Sequence, residues 1–195
     1  MKKIFLLMTM VLIFATSKAQ VNVGANFIFA FPNGNFGDIA SPAIGGDIDI
    51  NYFFGDKFSL GVEVQFVNFA NNSDAIFDVD MQVIPISLKA EYYLSDTKLR
   101  PFVGLGVGYY LVEGDIHLGT QGTGLQFNLD GFGVSPRFGF VYDFTNTSAV
   151  VFNMQYNVMF GQEYEIQAVK DLLDPFTETN YFSLLAGYRF TFGSN

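Results

Sequence analysis

The sequence contains no cysteine and no tryptophan, has a single histidine, and is poor in charge: 15% of its 195 residues are Asp, Glu, Lys or Arg. Without cysteine there is no disulfide scaffold, no thiolate zinc site and no thiol nucleophile. A net charge of −9 leaves no basic face to displace counterions from phosphate, which excludes nucleic acid as a partner. Long apolar runs are also missing after the first 20 residues, because a polar residue or Gly interrupts each one within a few positions. No later segment can therefore cross a bilayer as a helix, which needs ~20 apolar residues. What is present is apolar and aromatic: half the residues are hydrophobic, with 24 Phe, 10 Tyr and 20 Gly. A mean hydropathy of +0.27 excludes a disordered chain. The length suits one domain.

Residues 1 to 20 read as a secretory leader. Lys2 and Lys3 form a basic start, Ile4 to Ala15 an apolar stretch, and Ser17 and Ala19 the small residues of a cleavage site. The alternative, a membrane anchor, would need a longer apolar run. The expected organisation is a signal peptide over 1–19 and a single domain over 20–195. No Cys follows the cleavage site, so a lipoprotein anchor is not expected.

The remainder alternates with a period of two, at a spacing that suits eight strands. Val21, Val23, Ala25, Phe27, Phe29 and Phe31 oppose Asn22, Gly24 and Asn26. Ile44, Ile48, Ile50 and Tyr52 oppose Asp47, Asp49 and Asn51, and Phe58 to Phe66 oppose Ser59, Gly61, Glu63 and Gln65. The same holds for 84–94, 103–111, 132–142, 150–160 and 182–192. Such persistence predicts antiparallel β structure throughout. The connections alternate as well. Those near 54–57, 95–98 and 144–148 are tight, whereas those near 32–43, 67–78, 112–131 and 161–180 are long and rich in Gly, Asn and Asp. Short turns at one end and long loops at the other predict an eight-stranded antiparallel up-and-down transmembrane β-barrel.

A soluble barrel would alternate too, with its apolar face inward. The polar face decides between them. A solvated exterior would carry many Lys and Glu, yet this face is mainly Gly, Asn, Ser and Gln, and only Lys57, Lys89, Lys98 and Lys170 lie beyond position 20. The apolar face therefore meets lipid and the small polar residues fill a narrow lumen. One irregularity stands out. Val79, Met81 and Val83 are apolar at odd positions, but from Ile84 the apolar set moves to even ones. A bulge near Val83 to Pro85 is expected to absorb that slip, unless the preceding segment projects above the membrane.

The run Ile84-Pro-Ile-Ser-Leu-Lys-Ala-Glu-Tyr-Tyr-Leu, a short turn, then Arg100-Pro-Phe-Val-Gly-Leu-Gly-Val-Gly-Tyr-Tyr resembles the small outer-membrane β-barrels of the opacity-protein and porin-like class, related in architecture to OmpA and OmpX. The end of the chain is similar to the strand signal that the barrel-assembly machinery reads in that class, with Gly187, Phe190 and Phe192 at the matching positions. Leu185 stands where a polar residue is usual. The resemblance implies the outer membrane of a Gram-negative bacterium, contact with lipid and lipopolysaccharide, and a monomer; it names no extracellular ligand.

With the polar face inward, Asp47, Asp49, Glu63, Lys89, Glu91, Arg137 and Arg189 gather in the lumen as an ion-pair network, because buried charge must be paired. Such a network is either a gate that opens by re-pairing or a plug that lets polar residues fill the barrel, and the plug is favoured. The long loops carry Asp38, Asp74, Asp78, Asp80, Glu113, Asp115, Asp130, Glu163, Glu165, Asp171, Asp174 and Glu178, with Lys170 as the one clear base. These acids could share divalent cations with lipopolysaccharide or simply solvate the loops. In the last loop Leu172, Leu173, Pro175 and Phe176 could meet a partner or pack on the rim.

Other motifs fail. Asp47-x-Asp49-x-Asn51 lacks the Gly and closing Glu of a calcium loop, and Gly104-x-Gly106-x-Gly108 leads into no helix. His117 sits in a Gly-rich loop with no triad partner placed beside it. No cofactor and no metal are expected. The reading is a non-enzymatic barrel with a structural, adhesive or surface-recognition role; the alternative is a narrow porin-like channel for small solutes.

Overall fold

The computed structural model describes residues 20–34, 36–37, 40–70, 78–117, 124–160 and 179–193; for 78–79, 116–117 and 124–127 only the backbone is described. The segment 1–19 and the loop residues Asp38, Asp74, Glu163, Glu165, Lys170, Asp171, Leu172, Leu173, Asp174, Pro175, Phe176 and Glu178 lie outside the described residues, as do the side chains of Asp78 and His117.

The strands are β1 (Val21–Asn33), β2 (Ala43–Phe54), β3 (Phe58–Phe69), β4 (Asp78–Tyr93), β5 (Leu99–His117), β6 (Gly124–Asn128), β7 (Gly131–Asp143), β8 (Ser148–Phe160) and β9 (Asn180–Phe192). All described pairings are antiparallel. They run β4-β3-β2-β1-β9-β8-β7-β5, and β4 pairs with β5 to close the ring. Eight strands therefore form an up-and-down barrel with no free edge, the arrangement that satisfies every backbone group without water. The β2–β3 turn is tight because Gly55 takes a φ of 70°, open to glycine at no steric cost.

The ninth strand has no counterpart in the eight alternations. β5 continues past Leu111 to His117, where its backbone pairs with Asp78–Gln82 of β4 on one side and with β6 on the other. The link over 112–131, expected as a loop, is thus partly a ribbon that extends one side of the barrel at the long-loop end.

The two faces separate cleanly. Phe27 is 75% exposed, Phe132 70% and Leu88 63%, and no apolar residue of the eight alternations is buried. Exposure of this kind is normal only where lipid is the solvent. Outward aromatic pairs gather near the strand ends, with Tyr52–Phe54, Tyr142–Phe144 and Phe190–Phe192 at the short-turn end and Tyr109–Phe132 toward the other. These are the interfacial girdles of a membrane barrel.

The bulge expected at Val83 to Pro85 is not present. Val83 pairs with Val67 and Ile86 with Val64, so the register is the same on both sides, and the β4–β5 register runs unbroken from Asp78 to Tyr93. Pro85, which cannot donate, only interrupts the β3–β4 ladder opposite Gln65 and Phe66. Odd positions of β4 face inward from Met81 to Tyr93. The change of phase in the sequence marks a change in what fills the barrel, since Met81 and Val83 join an inner apolar cluster.

The interior has three layers. At the long-loop end an apolar cluster includes Ile28, Val67, Phe69, Met81, Val83, Val112, Met159 and Leu185, with Phe36 and Leu129 folded in from the connections. Phe36 meets Phe69 edge-on at 5.0 Å, and Phe69 meets Tyr181 at 5.3 Å. A smaller cluster at the short-turn end comprises Phe53, Tyr93, Phe102, Val141, Ala149 and Val151. The charged residues lie between them.

Candidate functional site

The seven charges assigned to the lumen, Asp47, Asp49, Glu63, Lys89, Glu91, Arg137 and Arg189, are all there, each between 1% and 4% exposed. The ladder explains how they meet. Gly24 lies opposite both Asp49 and Arg189, and Gly104 opposite both Glu91 and Arg137. Gly106 lies opposite Lys89 and Ser135. Small residues beside large ones let long side chains lie across a narrow lumen.

Six of the seven are joined. Lys89 Nζ sits among three carboxylates, 3.3 Å from Asp49, 3.4 Å from Glu63 and 3.5 Å from Glu91. Arg137 donates twice to Glu63, Nη1 at 2.6 Å and Nη2 at 2.7 Å, and Nη2 also donates to Ser135 Oγ at 2.9 Å. That fork is the strong geometry for guanidinium and carboxylate. Arg189 lies 3.6 Å from Glu91 and 3.8 Å from Asp49, and its Nη1 donates to Tyr93 OH at 2.6 Å. The Tyr93 hydroxyl in turn donates to Glu91 Oε2 at 2.7 Å. Asn51 and Asn26 donate to Asp49 as well.

The seventh, Asp47, accepts from Asn26 and is described with no ion pair, and its Oδ2 has no hydrogen-bonding protein group. A neutral layer lies above it. Gln155 donates to Gln65 at 3.0 Å, Tyr110 to Asn157 at 3.1 Å and Asn157 to Ser183 at 3.3 Å.

Two parts of the site do not follow from the alternation as read above. Tyr93 is easily passed over because it stands between Tyr92 and Leu94 of the outward set, yet its position two residues after Glu91 already puts it inside. Arg100 belongs by sequence to the turns, but it faces inward at the short-turn end. Its Nε lies 2.7 Å from Asp143 Oδ2, its Nη2 donates to Oδ1 at 3.0 Å, and its guanidinium lies 5.1 Å from the Tyr93 ring centre and 5.6 Å from that of Phe53.

Chemically this centre holds charge in place. Among the described residues no set of three or more His, Asp or Glu is placed to share a metal ion. Phe190 and Phe192 face outward on β9, and Gly187 lies on the opposite face.

The fit around Arg137 gives a first expectation. A methyl group at Gly106 would come within 2.6 Å of Arg137 Nη2, whose fork to Glu63 leaves it no room to yield. Gly106→Ala should therefore cost about 1–3 kcal/mol, the range for overpacking a filled interior. Urea unfolding in detergent, compared with an outward Val107→Ala control, measures it.

The profile of the outer membrane protein beta-barrel domain family matches residues 4–190. No curated protein sequence matches the chain. Among solved structures, a major outer membrane protein from Thermus thermophilus is similar at a TM-score of 0.67 and 13% identity, over 89% of this chain and 99% of that one. OprG from Pseudomonas aeruginosa is similar at 0.59 and 14% identity, over 89% and 96%. Ail, the attachment invasion locus protein of Yersinia pestis, in complex with the heparin analogue sucrose octasulfate, is similar at 0.54 and 9% identity, over 89% and 97%. At these identities the likeness is one of fold.

Proposed function

The chain belongs to the outer membrane protein β-barrel domain family and lies in the outer membrane of a Gram-negative bacterium, and from that premise we propose that it works as a sealed scaffold presenting acidic loops to the exterior. The observation that carries this is the layered lumen: an ion-paired centre sandwiched between two apolar clusters. A pore needs a continuous polar path, whereas Phe36, Phe69 and Tyr181 close one end and Arg100, Tyr93 and Phe53 the other. The role is non-enzymatic, and structural, adhesive or surface-recognising, because the rigid wall leaves only the loops free to vary.

Charge narrows the kind of partner. Ail was solved with a polysulfated ligand, but the loops of this chain are acidic and would repel such a polyanion. Asp80, Glu113, Asp115 and Asp130 suit cationic surfaces, or divalent cations shared with lipopolysaccharide. Gly187, Phe190 and Phe192 serve as the signal to the barrel-assembly machinery, and the closed ring acts as a monomer.

Liposome swelling in isotonic sugars and amino acids tests the sealed reading. Liposomes carrying the folded protein should swell no faster than protein-free ones. Swelling that depends on solute size would instead support the narrow porin-like channel.

A further inference from the structure

Among the described residues the lumen charges do not balance. Asp47, Asp49, Glu63 and Glu91 face Lys89, Arg137 and Arg189, four acids against three bases, and every one is buried. The three bases are committed elsewhere, with Lys89 among Asp49, Glu63 and Glu91, Arg137 forked onto Glu63, and Arg189 between Glu91 and Asp49. Asp47 is left over, with Oδ2 buried and unpartnered.

Among the described residues its surroundings supply no further charge. From β1 it meets Asn26, whose amide donates to Oδ1 and whose own Oδ1 is also buried without a partner. From β3 its ladder partner is Gln65, whose Nε2 is likewise unpartnered and could give a neutral hydrogen bond. The charged groups acting on it are Glu63 and Asp49, which repel, and Lys89 and Arg137, which attract but are shared. A buried charge without a counter-charge costs several kcal/mol.

We propose that the folded barrel binds one unit of positive charge at the Asp47 carboxylate, as a proton or as an alkali cation, and that this uptake completes the lumen network. The unfolded chain, with Asp47 in water, has no such requirement. Folding is therefore linked to the concentration of the bound ion.

The test compares the wild type with Asp47→Asn, which keeps the side-chain shape and removes the surplus charge. Both are refolded into lipid, and the melting temperature is read from the mobility difference between unboiled and boiled samples. The series covers pH 5 to 9, in choline chloride or in NaCl of equal ionic strength. If a proton is bound, the wild-type melting temperature falls as pH rises, in either salt, and the infrared spectrum contains a neutral carboxylic-acid carbonyl band that Asp47→Asn lacks. If an alkali cation is bound, NaCl raises the wild-type melting temperature above that in choline and leaves Asp47→Asn unmoved. Exposed loop carboxylates shift both proteins alike, so the difference between them is the readout. Equal responses of the two proteins to pH and to sodium overturn the proposal. Should Asp47→Asn not fold, a wild-type barrel with neither an acid carbonyl band nor a sodium response overturns it equally.

Discussion

Arg137→Ala lowers the stability of the barrel by about 3–5 kcal/mol, the range for removing one partner of a buried ion pair. The substitution strips Glu63 of both donors of its fork and leaves it to Lys89 at 3.4 Å, which already serves Asp49 and Glu91. Ser135 loses its donor as well. Water cannot readily replace the guanidinium, because apolar clusters stand on both sides of the layer. Arg137→Lys should recover only part of the loss, since an ammonium carries the charge but not the planar fork. Urea titration of the folded protein in lipid vesicles measures both variants. A loss below about 1 kcal/mol, typical of a surface pair, would mean that the fork is not what holds the centre.

Leu88→Arg has an effect of similar size and opposite location. Leu88 is 63% exposed on the outer face, beside Val62 and Val107 in the middle of the wall. Its neighbour in sequence, Lys89, points inward and is paired three times. A cation one residue along would face hydrocarbon, at about 2–4 kcal/mol if it sits near the midplane. Folding yield into phospholipid vesicles should drop accordingly, while Leu88→Phe folds normally. Equal yields for Leu88→Arg and the wild type would place this face against water and reverse the inside and outside of the barrel.

Sidedness is legible in the sequence because charge and size obey it strand after strand. Asp49, Glu63, Lys89, Arg137 and Arg189 all stand opposite aliphatic or aromatic neighbours, so a single inward assignment buries all of them together. What cannot be read is who meets whom. Glu63 and Arg137 are 74 residues apart and touch only because the ladder offsets between them bring both to one level. Arg100 follows one short turn, Asp143 precedes the next, and they are 43 apart. The phase change at Ile84 misleads for a related reason. Alternation reports which side a residue faces relative to its neighbours, and an apolar residue such as Val83 looks outward until the interior is known to contain an apolar layer. The continuation of β5 and the short β6 leave little trace because Gly114, Asp115, Gly124 and Asn128 break up their few apolar residues, and backbone pairing there does not need an apolar face.

Single-channel recording across planar bilayers tests most directly whether the lumen is closed. Refolded protein, first shown to be a barrel by its unboiled-versus-boiled gel shift, should leave the bilayer silent over repeated insertions. Arg137→Ala, recorded beside it, should give unstable openings if it folds. Stepwise and reproducible conductance from the wild type would mean that the lumen is an open channel.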